Sequence, residues 1–204
     1  MNYHFSAYVY RLRSIKRWSL MRSTAEENVA EHSFHVALLA HLLCEIGNKL
    51  FQRQLNAERA ATLALFHDAT EVFTGDIPTP VKHHNPKLLA SFREMESIAG
   101  ERLLAMIPPE LKASYQTLLF PAQTSGDPSE VELMKYVKAA DSLDAYLKCS
   151  WELTCGNREF AVAKEQLLDK LEKLNLPEIS YFLEHFAPSF EMTLDELSEL
   201  PEQN

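Results

Sequence analysis

The chain has 204 residues, 46% of them hydrophobic and 24% charged, with a formal net charge of −9. That length fits one sizeable domain. The charge argues against general binding to nucleic acid backbones or anionic membranes, but not against a small anionic ligand beside a bound cation. The N-terminal basic residues follow the apolar ones, the reverse of a secretory signal, and no stretch is apolar enough to span a bilayer, so a cytoplasmic protein is expected. Cys44, Cys149 and Cys155 are few, odd in number and unpaired in sequence, which favours buried free thiols over a disulfide scaffold or thiolate zinc site.

Glycine is scarce, at five residues, and helical periodicity dominates. A short helix is expected over Tyr3 to Ser14, then a long one over Asn28 to Gly47, with Gly47 as its end cap. The long helix carries the stripe Val29, His32, Val36, Leu39, Leu43 and Ile46. On it, His35 reads as a packing residue and His41 as a surface one. Asn56 reads as the N-cap of a helix bearing Ala60, Leu63, Ala64, His67 and Glu71. Two prolines and a glycine make Thr74 to Pro80 a loop. Further helices are expected from Pro86 to about Met106, over Glu110 to Leu119, over Ser129 to Thr154 with Ser129 and Glu132 as a capping box, and over Glu159 to Leu174. Pro121 to Pro128 reads as a polar surface loop between them. The aromatic stretch Tyr181 to Phe190, broken by Pro188, is expected to fold back on the core, and the acidic tail from Asp195 to fray. The pattern is that of an all-α, single-domain helical bundle over residues 1–204.

Three of these segments carry candidate metal ligands: Glu31-His32, His67-Asp68 and Asp141. An unpaired ionised aspartate on an apolar helix is costly, and a metal, an arginine or a cap would relieve that cost. Taken singly, each also reads as ordinary structure: a core histidine at His32, a core hydrogen bond at His67-Asp68, a salt bridge from Asp141 to Lys138 or Lys148. Together, two imidazoles and two carboxylates form a mixed nitrogen and oxygen set that suits a divalent transition metal with open positions. Such a metal acidifies bound water and polarises phosphoryl oxygens.

His, then His-Asp, then a distant Asp is the signature of the HD-domain phosphohydrolases. The stretches RWSLMR, ENVAEHSFHVALLAH, LALFHDATEVFTGDIPTPVK, KAADSLDAYLKC and HFAPSFEMTLDE resemble the bacterial HD-domain 5′-deoxynucleotidases over nearly the whole chain. That resemblance implies a homodimeric all-α enzyme that hydrolyses deoxyribonucleoside 5′-monophosphates and uses one divalent metal per chain, cobalt or manganese. It implies His32, His67, Asp68 and Asp141 as ligands. It matches Arg17 and Trp18 to the substrate contacts, with Trp18 selecting deoxyribose over ribose. The substrate loop matches Asp76, Ile77, Pro78 and Thr79, and the glutamate after the HD pair matches Glu71. His32, Asp68 and Asp141 also fall at substrate-binding positions. Asp144 and His83-His84 match no assigned role.

On this reading Arg17 neutralises phosphate charge, while Glu71 and Asp76 are the candidate general base and acid, in either order. Without the resemblance, Arg17 reads as part of a surface basic run, Trp18 as core filler, Glu71 as a partner for a histidine N–H, and Asp76 as a turn residue. No base-reading motif is visible, so weak base preference is expected. Two other readings stay open: an HD enzyme acting on nucleoside triphosphates or cyclic nucleotides, and a nucleotide-binding domain with a structural metal.

Overall fold

Asn28 opens the first long helix because its side chain accepts the N–H groups of Ala30 and Glu31 at 3.0 and 3.1 Å, while Glu31 returns a carboxylate oxygen to the Asn28 N–H at 3.2 Å. This reciprocal cap satisfies donors that a helix start otherwise leaves unpaired, a contribution of about 1 kcal/mol. The computed structural model describes residues 2–82, 84–121 and 128–199, and the side chains of Thr79 and Pro80 lie outside that description. In chain order its helices are α1 (Phe5–Val9, continued by a 3-10 turn Tyr10–Ser14), α2 (Val29–Leu50), α3 (Ala57–Phe66), α4 (Glu71–Thr74), α5 (Thr79–Lys82) and α6 (Pro86–Ala105). There follow α7 (Lys112–Leu119), α8 (Pro128–Thr154), α9 (Ala161–Lys173), α10 (Pro177–His185) and α11 (Leu194–Ser198). Extended pairing among the described residues is the isolated bridge between Lys16 and Asn28. No helix among them is long and apolar enough to cross a membrane.

Several boundaries differ from expectation, each for a local reason. α2 runs past Gly47 to Leu50, and the left-handed residue that ends it is Gln52, at φ 56°. The N–H groups of Phe51 and Arg53 both return to the Gly47 carbonyl at 3.0 Å. Gly47 is needed for room: a Cβ there would sit 3.0 Å from Glu178 Oε1 and 3.2 Å from Arg53 Cγ and Leu55 Cδ1. Asn56 caps α3, accepting the Arg59 N–H at 2.9 Å, but α3 stops at Phe66. His67 and Asp68 therefore lie just beyond a helix, not inside one, on turns closed by His67 N–H to Ala64 O and Ala69 N–H to Phe66 O.

Gly75, at φ 71°, turns the chain out of α4, and the stretch expected to be all loop forms α5, with Pro80 in its first turn, where a missing N–H costs little. α8 starts at Pro128, which puts Ser129 in the first turn and not at the cap; residues 122–127 of the expected polar loop lie outside the described ones. Pro188 sits in a 3-10 turn, Ala187–Glu191. The tail is helical from Leu194 to Ser198 under a Thr193–Glu196 capping box, and residues 200–204 lie outside the description.

The expected stripe of α2 is buried along its length. It packs on α3 and α8 through Val36, Ala40 and Leu43, Ala60, Leu63 and Ala64, and Tyr136, Val137, Ala140 and Leu143. The alanines let the three helix axes approach closely, and each fully buried leucine contributes about 1.5–3 kcal/mol. Leu171 of α9, and Ile179 and Phe182 of α10, close this core, so the aromatic stretch does fold back on it. A smaller cluster gathers Phe5, Ala69, Leu103 and Ile107. The turn 67–70 runs between the two, anchored by Ala64 in one and Ala69 in the other, and this fixes the HD pair against α2 and α8.

Candidate active site and its metal ligands

α2, the turn after α3, and α8 bring four donor side chains to one point. His32 Nε2 lies 3.2 Å from Asp141 Oδ1 and 3.5 Å from Asp68 Oδ2, and His67 Nε2 lies 3.1 Å from Asp68 Oδ2. Donor atoms of His32, His67 and Asp141 all fall within 4.8 Å of one another. The two rings are 5.2 Å apart. His32 is fully buried, whereas the Asp68 and Asp141 side chains are 22% and 40% exposed, so the cluster has a closed floor and a wet rim.

The far ring nitrogens are already engaged. His32 Nδ1 meets Asp144 Oδ2 at 2.7 Å, and His67 Nδ1 meets the Ala64 carbonyl at 2.6 Å. Both partners accept, so each Nδ1 carries its proton and each Nε2 presents a lone pair in the neutral ring. Both Nε2 atoms are buried without a hydrogen-bond partner. Unpaired buried polar atoms are costly. Two of them facing two carboxylates fit a divalent cation of the kind that accepts mixed nitrogen and oxygen donors.

The electrostatics agree. Burial works against protonation of His32, but Asp141 and Asp144 outweigh it and raise its pKa to about 9. His67 is raised in the same way, burial opposing and Asp68 prevailing. Burial would raise the carboxyls, yet His67 pulls Asp68 far down, His32 and His67 pull Asp141 down, and His32 and His35 hold Asp144 at about 2. Without a metal the cluster holds protons on its histidines where a cation would otherwise stand.

Around it lie the other expected residues. Arg17 is largely buried, with Nε 2.6 Å from Glu27 Oε1 and Nη1 4.0 Å from Asp68 Oδ2, so it belongs to the cluster's edge and not to an exposed basic run. Trp18 has a left-handed backbone, φ 56°, and its ring leans on Phe160 with centroids 5.4 Å apart. Glu71 is buried with Oε2 unpartnered. Burial first, then the charges of Asp68 and Asp76, push its carboxyl up to about 9, against the nearby Lys82 ammonium, 3.7 Å from Oε1. Asp76 is half-buried, and its charge is felt at both Glu71 and Arg17. Ile77 and Pro78 are half-buried in the loop that leads into α5. The Thr79 side chain lies outside the described residues.

Asp141 makes no ion pair with Lys138 or Lys148 among the described residues, and Lys148 pairs with Glu152. Sequence reasoning missed Asp144, which stands three residues after Asp141 on the same face of α8; that i, i+3 spacing was the available signal. His35 is not a packing residue: its side chain is half-exposed and Nδ1 lies 3.3 Å from Asp144 Oδ1. Cys155 is exposed, against the expectation of three buried thiols, while Cys44 and Cys149 are buried and all three are free.

Such a bundle, with this donor set at its centre, defines an HD-domain metal-dependent phosphohydrolase. The chain superposes on an HD-domain phosphohydrolase from Listeria innocua with a TM-score of 0.76 at 25% identity, over 92% of this chain and 88% of that one. It shares its fold with a cyanophage S-2L HD phosphohydrolase, TM-score 0.64 at 22% identity, over 90% and 96%. The 5′-deoxynucleotidase YfbR-like family matches residues 4–190, and the chain belongs to that family, whose members are phosphoric monoester hydrolases. It is 48% identical to a 5′-deoxynucleotidase of Vibrio vulnificus and 47% identical to one of Yersinia pseudotuberculosis, each over 96% of this chain and at least 96% of the relative.

Proposed function

We propose that this chain hydrolyses deoxyribonucleoside 5′-monophosphates to deoxynucleoside and phosphate, as a cytoplasmic homodimer, with His32, His67, Asp68 and Asp141 holding one divalent metal per chain, cobalt or manganese. The observation that supports this most is the pair of buried, unpartnered Nε2 atoms facing Asp68 and Asp141 in a member of this family. Bound there, the metal supplies an acidified water and polarises a phosphate oxygen. Arg17, braced by Glu27, neutralises phosphate charge beside Asp68. His32, Asp68 and Asp141 line the phosphate's seat, and the loop Asp76, Ile77, Pro78 and Thr79 holds the nucleotide from the other side.

Glu71 and Asp76 divide the proton transfers. One takes a proton from the attacking water and the other serves the leaving 5′-oxygen. The raised carboxyl of Glu71 and the proximity of Asp76's charge support two carboxyls with separated tasks. Trp18 selects deoxyribose by occupying the space a 2′-hydroxyl would need, which rejects ribose without adding attraction for deoxyribose. Base preference is weak. Among relatives of fold, the cyanophage S-2L protein is bound to dA and one catalytic Zn2+.

The test is phosphate release from matched dAMP and AMP after chelation, then after restoring cobalt, manganese, magnesium or zinc. Metal-restored release from dAMP with AMP nearly inert is expected. Absence of release from dAMP under every metal overturns the proposal.

A further inference from the structure

The loop between Arg17 and Glu27 is pinned at two ends by different means. At its neck, Arg17 N–H donates to Glu27 O at 2.9 Å, Val29 N–H to Ile15 O at 3.0 Å, and the Arg17 guanidinium reaches across to Glu27 Oε1. At its far end stands Glu152, fully buried near the end of α8. Its carboxylate accepts the Thr24 N–H and hydroxyl, both at 2.8 Å, and the Ala25 N–H at 3.3 Å. Lys148 Nζ and Asn157 Nδ2 complete its shell at 2.6 and 2.9 Å. Each of those two also holds the loop directly, Lys148 at Ala25 O and Asn157 at Arg22 O, both at 2.6 Å.

We propose that Glu152 is a positioning residue for sugar discrimination: by fixing Thr24 and Ala25 directly, and the Asn157 amide that holds Arg22, it keeps the Trp18 indole at the place where it excludes ribose. The inference rests on the reading of Trp18 as the sugar-selecting residue. Arg17 has its own brace in Glu27, but Trp18 has none at the neck. It sits in a left-handed conformation that is strained for an L residue, and its ring bears on Phe160. Phe160 belongs to the 3-10 turn Arg158–Phe160 that follows α8 and Asn157. The anchor of the loop and the wall behind the indole are thus one piece of structure, and the strained residue persists because both sides over-determine it. Glu152 lies about three turns along α8 from Asp141, too far to touch the ligands.

The experiment compares kcat/KM for dAMP and AMP in cobalt-loaded wild type, Glu152→Gln, Asn157→Ala and Trp18→Ala, beside cobalt affinity measured by titration of the metal-free proteins. The dAMP-to-AMP ratio does not depend on the folded fraction, since both substrates meet the same active molecules. A fall in that ratio of at least about fivefold in Glu152→Gln, with cobalt affinity unchanged, is expected, because a loosened wall weakens steric rejection more than binding. Asn157→Ala shifts the ratio in the same direction by less, and carries the test if Glu152→Gln does not fold. An unchanged ratio in both variants while Trp18→Ala collapses it overturns the role of Glu152. An unchanged ratio in Trp18→Ala overturns the underlying reading of Trp18 instead.

Discussion

Two buried polar clusters hang on α8, and they are built on opposite principles. Near its end, Glu152 is saturated: five donors from Thr24, Ala25, Lys148 and Asn157 converge on one carboxylate. Burial would raise its pKa, but those bonds hold it at about 2. Near the middle of α8, Asp141 and Asp144 belong to a cluster that its own atoms do not complete, with two imidazole nitrogens left unpaired. A saturated buried charge fixes geometry, whereas an unsaturated one waits for a ligand. One unpaired atom is not enough to mark a site: Glu178 leaves Oε2 unpartnered while Arg53 and Tyr136 hold Oε1, and no second donor set faces it among the described residues. Convergence of several unpaired donors is what distinguishes the open cluster.

The contrast can be broken by substitution. Asp68→Asn in the open cluster removes a proposed ligand and is expected to lower phosphate release from dAMP by at least about a thousandfold, the loss of several kcal/mol of metal-assisted stabilisation. Its folding midpoint in the presence of chelator should fall less than that of the closed cluster's variant, because the Asp68 side chain is partly solvated. Glu152→Gln in the closed cluster should do the reverse, costing about 3 kcal/mol of stability in urea unfolding, because it strands the Lys148 ammonium and the loop donors. Asp141→Asn, whose side chain is 40% exposed, should cost less than about 1 kcal/mol in the metal-free protein above pH 9, where His32 is neutral. Equal stability losses in the two clusters would remove the distinction. A subtler test is Asp144→Asn, which keeps an acceptor for His32 Nδ1 but not its charge. Cobalt should bind about tenfold more weakly, read from visible absorption during titration.

The same contrast explains what the sequence could and could not disclose. The stripe from Val29 to Ile46 and the Asn56 cap follow from periodicity and residue type, the candidate ligands His32, His67, Asp68 and Asp141 follow from residue type together with the family resemblance, and the structure brings those four together. Positions set by long-range contact did not follow. Gly47 resembles a cap in sequence, but its smallness answers to Glu178 on another helix. His67 and Asp68 read as mid-helix because nothing local announces the tightened turn that follows Phe66. Asp144 was visible as a second carboxylate one turn beyond Asp141, but its bond to His32 spans 112 positions. Glu152 gave no signal, because a saturated anchor is defined wholly by its partners.

Acidity should separate the two clusters last and most finely: in the metal-free protein Glu152 titrates on the acid limb alone, whereas the open cluster titrates on both, through Asp68, Asp141 and Asp144 on the acid side and His32 on the alkaline side. Glu152 has a folded pKa of about 2 against an ordinary value of 4.5. Its contribution is complete above 4.5 and is lost as pH falls toward 2. His32 is shifted the other way, to about 9 from 6.5. Its contribution is complete below 6.5 and is lost as pH rises through 9. Melting curves collected with chelator should therefore fall on both limbs. Glu152→Gln should make the acid limb shallower and leave the alkaline one, because glutamine has no proton to gain; the acid limb that remains belongs to the lowered carboxyls of the open cluster. Loading cobalt should reverse the alkaline limb, because the metal binds the neutral imidazoles and displaces their protons, so added metal raises the midpoint more as pH rises from 6.5 to 9. If cobalt leaves the alkaline limb unchanged, His32 is not a ligand; if Glu152→Gln leaves the acid limb unchanged, the lowered carboxyl there contributes nothing to stability.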